Sequence, residues 1–224
     1  VLFRAFSYTD DDEKKEIEKM RDVIIEMHHL MLMIAIRTGF VYDRWKTIVT
    51  QMIEKIPGCP KITRLRVIHL YECDLNLLFG ISFRKLQQHN EDNNKLNDGC
   101  YGGRPNRRAI DPVIVDVTQT EISMILRRAL ARFQNDLKSC FDRIISHLAQ
   151  VNNQSYGLPE EIARVIGTFL HEAIYYIKTG MGVSEAGYQH TRDIGVWGTG
   201  HGSATSMYIW GMIASRMLDL HDRF

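Results

Sequence analysis

Apolar residues recur along this chain with two different periods, and the order in which those periods follow one another restricts the architecture. From Ile17 through Met20, Ile24, Met27 and Met31 to Ile34 the spacing is three or four, which draws one face of an amphipathic helix ending near Gly39. "RLRVIHLYE" (64–72) instead alternates Arg64 and Arg66 against Leu65 and Val67, the two-residue period of a strand. Helical spacing covers "RWKTIVTQMIEKI" up to the "PGCP" break, "LNLLFGISFRKLQQHNEDNNKLN" and "SCFDRIISHLAQVNNQSYG". It also covers "PEEIARVIGTFLHEAIYYIKTG", with a proline in its first turn, and the closing "SMYIWGMIASRMLDLHDRF". "IVDVTQTEISMILRRALARF" reads as a helix running into a short strand that ends at "QND", and the glycine-punctuated region 183–200 reads as holding a hairpin strand. Strands are few and do not alternate regularly with helices. The expectation is an α+β fold, helix-rich with a small antiparallel sheet.

A chain of 224 residues that is 45% hydrophobic and 25% charged can bury the core of one domain or of two close subdomains. Lys and Arg total 28 against 27 Asp and Glu, so no overall charge excess points to nucleic acid or a membrane, and such a partner has to be met by a local patch. Cys59, Cys73, Cys100 and Cys140 are far apart and form no CxxC pair, as expected of reduced thiols in an intracellular protein. The longest apolar run, "HHLMLMIAI", is too short to span a bilayer, and no leader pattern opens the chain. A start at Val1 and a stop inside a helical pattern suggest a piece of a longer polypeptide.

Three stretches could carry chemistry. In "RFQNDLKSCFDRII", Asp136 falls where a strand gives way to a helix, a position from which a carboxylate can project into a cleft as a metal ligand or can cap the helix starting near Ser139. "YGGRPNRR" (101–108) combines three arginines and two glycines without an acid, which suits either phosphate binding or a solvated turn. "GTGHGS" (198–203) lacks the lysine of a phosphate-binding P-loop, and its glycines imply only that backbone can approach something closely there. His69, His171, His190 and His221 have no metal-ligand spacing, and His28 and His29, adjacent on a helix, point about 100° apart. Neither HExxH nor GxSxG occurs.

Taken in order, these pieces resemble the fingers and palm of a reverse transcriptase, an RNA-directed DNA polymerase of the non-LTR retrotransposon and group II intron type. "RLRVIHLYECDLNLLFG" resembles the fingers strand that grips the incoming triphosphate, and "LNDGCYGGRPNRRAIDPVIVDV" resembles the family's "QyGFRpgRst" segment. "NDLKSCFDRI" is similar to the palm motif "DlkkAFDtv", and "GTGHGSATSMYIW" to "GvPQGsvlSPlLf". The resemblance runs over about residues 62 to 215 and implies a division into a helical extension, 1–60, and the fingers with part of the palm, 61–224. It implies a catalytic, metal-binding Asp136, with the Leu137 carbonyl as a backbone metal ligand. It gives Arg64 and Arg66 to the triphosphate, Phe141 to the deoxyribose, and Gly200, His201 and Gly202 to the nucleotide and template. It gives Tyr101, Gly102, Arg104 and Arg107 to the template.

The implied partners are an RNA template, a DNA primer and deoxynucleoside triphosphates, with no membrane, and the implied cofactor is Mg²⁺, two ions in the complete enzyme. Copying an element into a genome implies DNA integration and a nuclear location. Two departures stand out. His201 occupies the family's glutamine position and Met207 a proline position, and no aromatic-x-Asp-Asp hairpin follows the last helix. One aspartate does not hold two ions, so this piece is expected to lack polymerase activity by itself. The alternative is a catalytically inactive nucleic-acid-binding module, or a decayed element, of the same descent.

Overall fold

The computed structural model describes residues 11–59, 61–132, 137, 139–190, 198–200 and 202–223. The first periodic segment forms α1 (Asp11–Thr38). Its stop is set by Gly39, at φ +74°, whose amide donates 2.9 Å to the Ala35 carbonyl, a glycine closing a helix C-terminus. The end of α1 packs on α6 (Glu160–Glu172), burying Ala35, whereas Met20, Val23, Ile24 and Met27 in its earlier turns stay exposed. His28 on α1 is 2.8 Å from the buried Asp74 carboxylate, which also pairs with Arg44.

The helical expectation for 44–56 is corrected. Only α2 (Asp43–Lys46) is helical, and β1 (Thr47–Glu54) follows directly. Thr47, Ile48, Val49 and Thr50 are four β-branched residues in succession, which crowd a helix but stand well on a pleated sheet. Ile48 and Thr50 are fully buried, so the strand has one core face. β1 sits between two neighbours: β2 (Leu65–Leu70), antiparallel with Ile53 opposite Arg66, and β3 (Ile174–Thr179), parallel with Val49 opposite Tyr176. β3 turns back into β4 (Gly182–Val183), which meets the region 183–200 expected to hold a hairpin strand only at Val183, and 191–197 lie outside the described residues. The sheet order is β2-β1-β3-β4, so the sheet is mixed rather than antiparallel. The boundary between 60 and 61 falls within the β1–β2 hairpin, whose strands pair over six residues.

β3 also corrects the helix read through residue 180. α6 stops at Glu172 because Ala173 turns extended (ψ 134°), and "IYYIKT" is aromatic and β-branched, at home in a sheet. The helix read from 139 to 157 divides in the same way. A 3-10 turn, Cys140–Arg143, is separated from α5 (Ser146–Ser155) by extended Ile144 and Ile145. Between β2 and this turn lie α3 (Cys73–Asp92) and α4 (Ile110–Ile125), and after it α7 (Ser206–His221) closes the fold. α3, α5 and α6 surround a core that includes Trp45, Leu75, Phe79, Phe83, Val165 and Phe169, and α7 adds Ile209 and Met212. α4 buries none of its residues, and the chain after it folds back so that Arg132 Nε reaches Asp116 at 2.7 Å. Among the described residues 126–132 form no strand, and "QND" lies outside the described residues.

Candidate functional site

The second end of β2 passes into α3 through Tyr71 and Glu72, and the Glu72 carboxylate accepts the Asp74 amide at 2.7 Å to start the helix. Against this junction lies the glycine-rich loop. Gly202 has φ +104°, and a Cβ there would run into the His69 backbone carbonyl; at Gly200, φ +70°, it would meet the Tyr71 hydroxyl. These glycines are therefore required by the close approach of the loop to β2. The loop's other side is tied to the turn that follows Leu137. The Gly198 amide donates 2.7 Å to Ile144, and the Thr199 amide donates 3.1 Å to the Phe141 carbonyl. The Ala204 amide donates 2.9 Å to Asn76 Oδ1 on α3.

Two serine hydroxyls complete the loop's anchoring. Ser146, in the first turn of α5, donates 2.8 Å to the Gly198 carbonyl. Ser206, the first residue of α7, lies 3.0 Å from the Thr199 carbonyl and 2.6 Å from that of Gly200. The Phe141 ring meets Trp210 of α7 edge-on, 6.2 Å between centroids. Behind the loop a small cavity of about 30 Å³ is bounded by Tyr71, Phe79, Asn153, Phe169 and Thr199. Tyr71 and Tyr175 are the electrostatic outliers nearby. Burial pushes the Tyr71 hydroxyl above its ordinary range and that of Tyr175 up to about 12, with its stacked neighbour Tyr188 adding to the second. Burial also lowers the pKa of His190, which abuts Tyr175 edge-on.

Arg66 and Phe141 thus belong to two segments that each contact the loop of Gly200 and Gly202. Arg66 points to the same face of β2 as Ile68, which touches the Gly202 position, and Arg66 and Arg64 are both exposed with no ion pair among the described residues. The side chain of Leu137 lines an open, largely apolar groove of about 720 Å³ between the 3-10 turn, α5 and α7, with Arg143 and Arg216 also on its walls. Asp136 and His201 lie outside the described residues, as does the cap or ligand choice for Asp136. Among the described residues no group of three His, Cys, Asp or Glu side chains could hold a metal ion. Of the implied metal donors, only the Leu137 carbonyl is among them, and it does not make a Mg²⁺ site alone.

The 101–108 loop has a different logic from the one its composition suggests. Arg104 is nearly sealed, its side chain 7% exposed, with Nε 2.9 Å and Nη2 2.7 Å from the two Glu91 oxygens. Its Nη1 donates to the Asn97 and Cys100 carbonyls, so four of the five guanidinium N–H groups are committed within the chain. Arg107 pairs with Asp98 at 2.8 Å and lies over the Tyr101 ring, and Arg108 reaches Asp111 at 3.3 Å. Gly102 is exposed beside these bonds. Asn97 ties the loop to α7, donating from Nδ2 to Asp219 and Asp222, both at 2.9 Å. This network commits Arg104 within the chain, whereas Arg108 keeps a side chain 77% exposed and Arg107 pairs with an exposed carboxylate.

Sequence reasoning missed Asn76, Ser146, Ser206 and Trp210. A serine at the start of a helical pattern, as in "ATSMYIW", is the one available signal, and it indicates a helix start rather than an anchor for a distant carbonyl. No family model and no curated protein matches the sequence. No helix among the described residues is long and apolar enough to cross a membrane.

Proposed function

We propose that the chain is the fingers and part of the palm of an RNA-directed DNA polymerase that copies RNA into DNA for a retrotransposon, with a primed RNA template and deoxynucleoside triphosphates as its partners. The observation that carries this reading is a convergence. Three segments far apart in sequence, each resembling a different polymerase motif, meet around one hydrogen-bonded loop: 66–76, 139–146 and 198–206. Arg64, which closes the 3-10 turn Ile62–Arg64, and Arg66 on β2 are exposed cations near that loop and suit a triphosphate or template phosphate. Phe141, fixed by Trp210 and by the bond from Thr199, offers a rigid flat surface to a sugar. Asp136 would hold Mg²⁺, which when bound neutralises charge on the transferring phosphoryl group. The carboxylates needed beyond Asp136 come from another segment of the polypeptide, and the genome-directed reaction implies work in the nucleus.

The test is filter binding and extension with an RNA template annealed to a DNA primer. The chain is expected to bind the duplex with an affinity that falls steeply with salt. Arg64→Ala and Arg66→Ala are each expected to flatten the slope of log K against log salt by about 0.7 to 0.9, one phosphate contact apiece. No binding at low salt, or an unchanged slope in both variants, overturns the reading. These 224 residues with Mg²⁺ are expected to leave the primer unextended. Extension is expected from a polypeptide that contains them and an aromatic-x-Asp-Asp hairpin beyond Phe224, and reading the coding frame there separates a polymerase from a binding module.

A further inference from the structure

We propose that Ser146 and Ser206 are positioning residues that lock the 198–200 backbone to the Phe141 turn, so that loop and aromatic ring form one preorganised surface. This rests on the reading of that surface as a nucleotide site. The Ser146 hydroxyl donates to the Gly198 carbonyl, the single Ser206 O–H lies between the Thr199 and Gly200 carbonyls with Gly200 the nearer, and the two serines come from the first turns of different helices. Ser146 is 3% and Ser206 5% exposed, so solvent does not readily replace either hydroxyl. Two amides of the same stretch bond to the turn that carries Phe141: Gly198 donates to the Ile144 carbonyl and Thr199 to that of Phe141. With its carbonyls held by the serines and two of its amides by the Phe141 turn, the strip from 198 to 200 cannot shift relative to Phe141 without breaking several bonds at once.

The geometry explains why the loop is anchored at both helices. Ser146 opens α5, which follows the turn carrying Phe141, and Ser206 opens α7, which carries Trp210 against the Phe141 ring. Each serine therefore ties the loop to an element that also fixes the aromatic. A loop of glycines at positive φ has many backbone states open to it, and such external bonds select one of them.

The test combines residue-resolved hydrogen exchange with nucleotide binding, using Ser206→Ala and, as an independent variant, Ser146→Ala. Expected in either variant is exchange at the Gly198 and Thr199 amides about tenfold faster or more, with protection in α3 and β1 unchanged. The affinity for dGTP with Mg²⁺, measured on the chain bound to a primed RNA template, is expected to fall by a similar factor. Ser206→Thr, which keeps the hydroxyl, is expected to restore protection at both amides. Unchanged exchange at 198 and 199 in both alanine variants overturns the proposal, and so does an equal loss of protection throughout the core, which marks the serines as ordinary packing. If the wild-type chain binds no dGTP while the alanine variants still free the loop amides, the lock stands and the nucleotide reading fails.

Discussion

Gly202→Ala is expected to destabilise the protein by about 3 kcal/mol and to abolish binding at the loop. Two costs coincide at this position. The backbone sits at φ +104°, a region that L side chains rarely adopt, and the new Cβ would collide with the backbone carbonyl of His69. A carbonyl in β2 cannot swing aside, because β2 is held along its length by pairing with β1. The loop would have to lift off the strand and break the Ser206 and Asn76 bonds as it moved. Two controls separate the costs. Gly58→Ala has a positive φ of +76° but open space around the new atom, and is expected to cost about 1 kcal/mol. Gly200→Ala, at +70° against the tip of Tyr71, should fall between the two, since the ring has some room to yield. Urea unfolding of the three variants reads the order directly, and a Gly202→Ala cost no larger than that of Gly58→Ala would mean that the loop does not press on β2.

The elements that the sequence made legible are those whose environment is simple. α1, α3 and α7 each carry a long run of one period, and in β2 the alternation of Arg66 with Leu65 and Val67 marked the strand, with Arg66 exposed and its two neighbours half-buried. β1 and β3 failed for a shared reason. Both are covered on one face and joined on both edges, so apolar residues intrude on their outer face and alternation weakens. In "TIVTQMIE" the spacing of Ile48, Met52 and Ile53 also fits a helix, and the β-branched run from Thr47 to Thr50 was the better guide. Parallel pairing of β1 with β3 joins residues 127 positions apart, a relation no local pattern records. The break at Ile144 and Ile145 is likewise set from outside, by the Ile144 carbonyl accepting the Gly198 amide.

The site was legible as a set of segments and illegible as a set of bonds. Order along the chain marked β2, the Phe141 turn and the glycine loop as related, and these are in contact. The purpose of the glycines was harder to read, because a bare backbone suits a nucleotide and a neighbouring strand equally, and only the His69 carbonyl decides which one demands it at Gly202. Charge was an incomplete guide in the 101–108 loop for a comparable reason. Three arginines without a local acid look available, yet their acids, Glu91, Asp98 and Asp111, lie just outside the quoted window.

Arg104→Met tests that last point, and its expected effect is on stability. Removing one member of a mostly buried, bidentate pair leaves the other as an uncompensated carboxylate, a loss of about 3 kcal/mol. Glu91→Gln combined with Arg104→Met should lose less than Arg104→Met alone, since no charge is then left stranded. The pH dependence follows from Glu91, whose carboxyl is held below its ordinary range chiefly by the hydrogen bonds from Arg104, against the opposing effect of burial. The folded state then binds this proton more weakly than the unfolded chain does. The pair's contribution is therefore complete above the unfolded carboxylate pKa, about 4.3, and fades as the pH drops through the lower folded value. Urea midpoints of wild type and Arg104→Met should differ most near neutral pH and converge in acid, as the stranded Glu91 of the variant takes up a proton first and the paired one of the wild type later. Affinity for a primed RNA template at saturating folded fraction should be the same in both, because the guanidinium has four of its five N–H groups turned inward. A variant as stable as wild type but weaker in template binding would return Arg104 to the phosphate-binding role that its sequence context first suggested.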